Sequence, residues 1–189
     1  TSALWVRSFF ILIFPAFFCV FPYIDALNNP NENVRTYMAL AIVEHHTFKL
    51  DRVVATYGWV NDMARAPDRN GVPHSYCIKG PAMGYLGAPV YAAFRKMAPA
   101  FGLPIPAADA PMAAQRAWLR ATTVCLRLFI VQLPCFLFLV ALERWLRRIS
   151  SDVVLRLSAV AAAGIGSNYL AYSLMFVSHA LFAVTSFSA

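Results

Sequence analysis

Uncharged apolar runs and one long mixed stretch divide this chain. Residues 8–24, SFFILIFPAFFCVFPYI, carry no charge. With Ala3 to Val6 they approach the roughly 20 residues that cross a hydrocarbon core of about 30 Å. The pattern predicts a first, outward transmembrane helix over 1–24, kinked at Pro15 and stopped at Pro22. A cleaved signal peptide is the rival reading; a poor cleavage site and the later apolar runs speak against it. A second, inward span is expected over 116–143, where ATTVCLRLFIVQLPCFLFLVAL is interrupted by Arg127 and Gln132. Residues 157–189 carry no Asp, Glu, Lys or Arg. As one helix they would be about 50 Å long, too long for one crossing. Gly164-Ile165-Gly166-Ser167-Asn168 offers a break. The expectation is therefore a third and a fourth span within 152–189, near 152–165 and 169–189, the fourth holding His179 in mid-membrane.

The mixed stretch, 25–115, reads as an outer loop. Asn31 is a good N-cap and Glu32 an acid suited to a first helical turn. Val34, Tyr37, Met38, Ala41 and Ile42 follow at helical spacing. They predict an amphipathic helix over 31–46, apolar face down on the membrane surface. The run PAMGYLGAPVYAAF holds two prolines and two glycines and leads into Arg95-Lys96. It is too short for a span and suits an interfacial or re-entrant segment over 81–102. The fold class is an all-α polytopic membrane protein: about four transmembrane helices and a long outer loop with amphipathic interfacial helices.

Composition strengthens that reading. Of 189 residues, 60% are hydrophobic and 13% charged, too few polar side chains to clothe a soluble domain of this size. The net charge of +7 would suit nucleic acid in a soluble protein, but here the basic residues flank apolar runs. No nucleic-acid partner is expected. Arg144, Arg147 and Arg148 make 144–151 a cytoplasmic loop by the positive-inside bias. That orientation puts 25–115 outside, and a crossing at 81–94 would reverse it. The outer loop holds seven of the nine acidic residues: Asp25, Glu32, Glu44, Asp51, Asp62, Asp68 and Asp109. The four cysteines show no disulfide framework or metal spacing, and they read as small apolar fillers. The start at Thr1 and the stop inside an apolar run are those expected of a piece of a longer polytopic protein.

Candidate chemistry concentrates outside the apolar runs. Glu32, at the water–lipid boundary, is either a general base or a helix-capping acid. Glu44-His45-His46 is a poor metal site, since neighbouring histidines on a helix point about 100° apart. Lys79 either meets a phosphate or snorkels to the interface. Arg116, Arg120 and Arg127 share one helical face. Arg127, inside the apolar run, needs a partner: a lipid phosphate, an acid of the loop or backbone carbonyls. His179 is a polar contact between helices or a site residue.

Together these residues resemble the N-terminal part of GT-C class glycosyltransferases, namely bacterial relatives of protein O-mannosyltransferases and lipid A aminoarabinose transferases. NENVRTYMALAIVEHHTFKLD is similar to their first-loop helix, SYCIKGPAMGYLGAPVYA to their tyrosine–lysine–proline segment, and SLMFVSHALFAVTSF to a later span. The resemblance implies an enzyme that moves a sugar from a polyprenyl-phosphate donor to an acceptor on the outer face of the bacterial inner membrane, with 25–115 in the periplasm. It implies Glu32 as catalytic base, Lys79 on the donor's lipid phosphate and Tyr76 in the same cavity. Arg120 and Arg127 join as further phosphate ligands. Departures from the family pattern are Asn31-Glu32 in place of two acids, Ile78 in place of an acid, and Gly80-Pro81 in place of two prolines. No resident metal is named, although a divalent cation remains compatible. Expected partners are membrane lipids and the polyprenyl-phosphate-sugar donor. The alternative is a non-catalytic transmembrane subunit or scaffold of a larger membrane complex, for example respiratory or photosynthetic, with protein partners.

Overall fold

A computed structural model describes residues 2–21 and 29–188. In chain order these form α1 (Ser2–Phe18), α2 (Pro30–His45), α3 (Asp51–Tyr57), the strands β1 (Met63–Pro67) and β2 (Pro73–Cys77), and α4 (Ala82–Met97). A 3₁₀ turn (Ala98–Phe101), α5 (Met112–Leu126), a π-helical turn (Arg127–Gln132) and α6 (Leu133–Leu146) follow. The chain continues as α7 (Val153–Gly164), α8 (Asn168–Ser173) and α9 (Ser178–Ser188). The fold is mostly helical, with one antiparallel hairpin. It divides into two compact units: Thr1–Pro22 with Arg127–Ala189, and Tyr23–Leu126.

The first unit is built on aromatic packing. Phe136 on α6 meets Phe10, Phe14, Phe17 and Phe18 of α1 with ring centroids 5.2 to 6.0 Å apart, all edge-on. Edge-on pairs set the positive ring rim against the negative face. Gln132 Nε2 donates to the Phe17 carbonyl at 2.7 Å, giving a partner to one of the orphan carbonyls at the end of α1. The π turn sits directly before Pro134. Proline has no N–H and its ring crowds the carbonyl four residues back, so a wider turn accommodates it. Pro15 lies within α1, which ends at Phe18; Pro22 and Asp25 lie outside the described residues.

Among the described residues, one helix is long and apolar enough to cross a membrane: Met112–Leu146, 35 residues running through α5, the π turn and α6. It contains the expected 116–143 span. The others are shorter. At 1.5 Å per residue, α1 is about 25 Å long, α7 about 18 Å and α9 about 16 Å. The break at 164–168 occurs as expected, with Ser167 accepting from Tyr169 N as the cap of α8. The expected fourth span is not one helix. A second break at 174–177 separates α8 from α9, and at its start the Ser173 hydroxyl donates to the Leu170 carbonyl. His179 is the second residue of α9, its ring 4.7 Å from that of Tyr172.

The second unit is arranged around α2. Its span agrees with the expected 31–46 within a residue, but it is not an amphipathic surface helix. Ten consecutive residues, Glu32 to Ala41, are buried. The apolar stripe accounts for one side, and α3, α4, α5 and β2 enclose the helix. The cap is Asn29 rather than Asn31, because Pro30 takes the first helical position, where a missing N–H costs nothing. The segment expected to be interfacial, 81–102, forms α4 and the 3₁₀ turn. Met83, Gly84, Gly87 and Tyr91 make its buried face. A Cβ on Gly84 would stand 2.8 Å from Met38 Cγ, so glycine permits the close approach to α2. Leu86, Met97 and Phe101 remain exposed.

The enclosed position of α2 yields a stability test. Leu40→Ala, at a fully buried site, is expected to cost about 2–5 kcal/mol by transfer loss plus cavity. Leu103→Ala, at an exposed site, should stay within about 0.5 kcal/mol. Denaturant unfolding in detergent measures both.

Candidate functional site

The N-terminal turn of α2 holds the acid singled out above. Glu32 occupies the third helical position and is 1% exposed. Asn29 Nδ2 donates to its Oε2 at 2.7 Å, and Asn33 Nδ2 donates to the Asn29 carbonyl at 2.7 Å. The Asn29 side chain makes no capping bond to the backbone here, and Glu32 stands in the first turn, where the helix dipole favours a carboxylate. Arg35 lies one turn further along, on the same face. Its Nη1 donates to the Asn31 carbonyl at 2.8 Å. Burial lowers the Arg35 pKa, against the raising influence of Cys77, Asp62 and Glu32. Those residues therefore share one electrostatic neighbourhood.

The hairpin brings the second half of the cluster. Lys79 Nζ stands 3.1 Å from Asp62 Oδ2. Ile78 N donates to the Asp62 carbonyl at 3.2 Å, and Lys79 N donates to Cys77 Sγ at 3.3 Å. Asp62 has φ +66°, a left-handed conformation uncommon for a residue with a Cβ. Burial pushes the Cys77 thiol up, which keeps it protonated at neutral pH. Glu32, Arg35, Asp62 and Lys79 thus bring two acidic and two basic side chains into one neighbourhood. Arg35 and Asp62 were not singled out from the sequence. The signal for Arg35 was its i+3 spacing from Glu32; Asp62 has no local sequence signal.

The remaining candidates are distributed. Strand alternation puts Tyr76 on the opposite hairpin face from Ser75 and Cys77, beside Lys49, whose pKa it helps raise. Arg116 and Arg120 lie exposed on α5. Arg127 is 2% exposed at the start of the π turn and belongs to the first unit. Glu44 accepts from the Tyr91 hydroxyl, and Trp118 Nε1 donates to that hydroxyl at 3.3 Å. Burial and then the Glu44 contact push the Tyr91 pKa well above its ordinary value. His46 ends α2 in a left-handed conformation. Among the described residues, no group of three or more His, Cys, Asp or Glu side chains is placed to hold a metal ion.

A second polar network lies on the outer hairpin face. His74 Nδ1 is 2.8 Å from Asp51 Oδ2, and Ser75 N donates to Asp51 Oδ1 at 3.1 Å. Lys49 Nζ is 2.8 Å from Asp68 Oδ2 and 2.9 Å from His74 Nε2. Asp68 Oδ1 also accepts from Asn70 N and Val72 N, shaping the turn. His45, Thr47, Lys49, Asp51, Arg52 and His74 line a cavity of about 410 Å³ there. Every acid in this network has a donor, so its geometry is that of a latch between hairpin and α3.

Comparison with family models, curated proteins and solved structures finds no match for the chain.

The Lys49 contact, followed by the two backbone N–H groups, holds the Asp68 carboxyl well below the usual carboxylate range. A depressed folded-state pKa contributes stability above the unfolded value, about 3.9, that is lost as pH falls below it. Lys49 is raised, chiefly by the same contact, so its contribution persists until strongly alkaline pH. Hydrogen-exchange protection at Asn70 and Val72 is therefore expected to hold from neutral pH down to about pH 4 and to fall below it. Asp68→Asn should lower that protection at neutral pH and abolish the acid-dependent loss.

Proposed function

We propose that the chain belongs to a GT-C-like integral-membrane glycosyltransferase that moves a sugar from a polyprenyl-phosphate donor to an acceptor hydroxyl. The observation that carries the reading is the Glu32 cluster: a buried carboxylate at a helix N-terminus, with Arg35 one turn away and the Asp62–Lys79 pair within electrostatic reach of that arginine. The resemblance of the first-loop helix and the Tyr76–Pro81 segment supports it independently. In this reading Glu32 takes the proton of the acceptor hydroxyl while its oxygen attacks the anomeric carbon. The bond from that carbon to the phosphate oxygen breaks, and the polyprenyl phosphate leaves with the electron pair. Lys79 moves from Asp62 to the departing phosphate, and Arg35 offsets the charge that Asp62 retains. Glu32 and Arg35, held at the start of α2, are already oriented before reaction, where such charges act strongly.

The same reading makes the chain polytopic, in the bacterial inner membrane, with residues 25–115 on the periplasmic side. The 35-residue apolar helix supports membrane association. Leu86, Met97 and Phe101, exposed along α4 and the turn after it, support contact of the outer loop with the membrane surface. Arg120, exposed on α5 in the same unit as the Glu32 cluster, is the further donor-phosphate ligand of this reading.

Transfer of a labelled sugar from a synthetic polyprenyl-phosphate donor, measured in membranes of expressing cells, tests the assignment. Glu32→Gln should lower the rate about 10²–10⁴-fold, the range for loss of a general base. Lys79→Gln should raise KM for the donor. Transfer unchanged in Glu32→Gln would sink the reading.

A further inference from the structure

The first unit carries a charge that its own residues leave open. Glu143, 1% exposed, accepts from Arg147 Nε at 3.0 and 2.8 Å and from Arg156 Nε at 3.3 Å. Arg156 Nη1 donates to the Ser150 carbonyl at 2.8 Å. Two guanidinium groups on one carboxylate leave one positive charge, and the Arg156 side chain is only 7% exposed. Arg156 and Glu143 make the buried pair, and the excess charge falls on Arg147, whose side chain is 49% exposed and open to a further anion. The next acid, Asp152, is occupied as the cap of α7, accepting from Val154 N and Leu155 N. Arg144 and Arg148 add charge of the same sign beside it.

The unused donors meet a cavity. Arg156 Nη2 and both Nη atoms of Arg147 have no hydrogen-bond partner among the described residues. Both arginines border a space of about 250 Å³, closed by Ser151 and by Ser2, Ala3 and Val6 of α1. Ser151 brings a hydroxyl. Shared Nε bonds to Glu143 fix both forks, so their free edges are pre-oriented. Planar forks of this kind suit a tetrahedral oxyanion, which accepts paired N–H bonds. Trp5, Trp145 and Ile149, all exposed, lie next in sequence to these residues or to their immediate neighbours. Tryptophan beside a basic cluster marks a water–lipid boundary.

We propose that this cavity binds a phosphate group, supplied by the headgroup of an anionic lipid or by free phosphate. The site lies in the other unit from the Glu32 cluster and does not rest on the transferase reading.

The full chain, purified in a mild detergent, tests it in two arms. Native mass spectrometry with equimolar phosphatidylglycerol and phosphatidylcholine reads lipid retention. Thermal unfolding in inorganic phosphate against chloride at equal ionic strength reads free phosphate. Arg147→Gln is the informative variant, because that side chain is half-exposed and its loss leaves Arg156 paired with Glu143. The control is Arg144→Gln with Arg148→Gln, which removes more charge but no cavity donor. Phosphatidylglycerol should be retained selectively by the native chain. Its retention should fall about tenfold in Arg147→Gln, as for loss of a charge-assisted bond, and by less than about twofold in the control, as for screened surface charge. Stabilisation by inorganic phosphate without lipid selectivity, again lost in Arg147→Gln, supports the site and assigns it to free phosphate. Equal losses in variant and control, or no response in either arm, overturn the proposal.

Discussion

The second unit depends on the burial of ten consecutive residues of α2, Glu32 to Ala41. A helix buried all round is normally apolar all round, yet α2 brings Glu32, Asn33, Arg35 and Thr36 into the interior. Each has to be satisfied there. Asn29 and the helix backbone supply hydrogen bonds, while Asp62 and Cys77 act electrostatically on Arg35, whose Nε has no hydrogen-bond partner among the described residues. The hairpin is tied to α2 by charge, through Arg35 and Asp62, as well as by contact. Removing one partner would leave a buried charge uncompensated, and for that reason the charged end of α2 is the place where structure and any chemistry are hardest to separate.

Much of the helical plan was legible. The apolar runs marked α1 and the α5–α6 helix, the i, i+3, i+4 spacing located α2, and the glycine-rich break fell between α7 and α8. What could not be read was the environment of each helix. Val34, Tyr37, Met38 and Ala41 give α2 an apolar stripe, and a stripe alone implies one covered side; enclosure of the polar side depends on residues far away in the chain. The hairpin was missed for a related reason. Its strands are five residues each and β1 is mostly exposed, so no alternation of apolar and polar positions announces it. The turn chemistry was nevertheless present. Asp68 accepts from two amides in its own loop, and Gly71 adopts φ +79°, the backbone that the Asn70-Gly71 pair favours.

The candidate site was half legible. Glu32 and Lys79 stand out by residue type and position, and both join the charged cluster. Arg35 and Asp62 complete it, but only the fold brings Asp62 to Lys79. Tyr76 illustrates the limit of a motif. Three residues separate it from Lys79, yet the strand places it with Lys49 and His74 on the other face. The same holds for Arg120 and Arg127. A helical wheel puts them together, while the structure leaves one exposed and the other buried at a change of helical pitch.

That change of pitch alters how the chain can be edited. A π turn holds about one residue more than the α turn it replaces. Between Arg127 and Gln132 the chain therefore carries one extra residue inside an otherwise regular helix. Deleting a residue there would draw the turn to ordinary pitch and set the Pro134 ring against the Ile130 carbonyl. The extra residue is thus the length that a proline inside this helix requires, and positions 127–132 resist shortening.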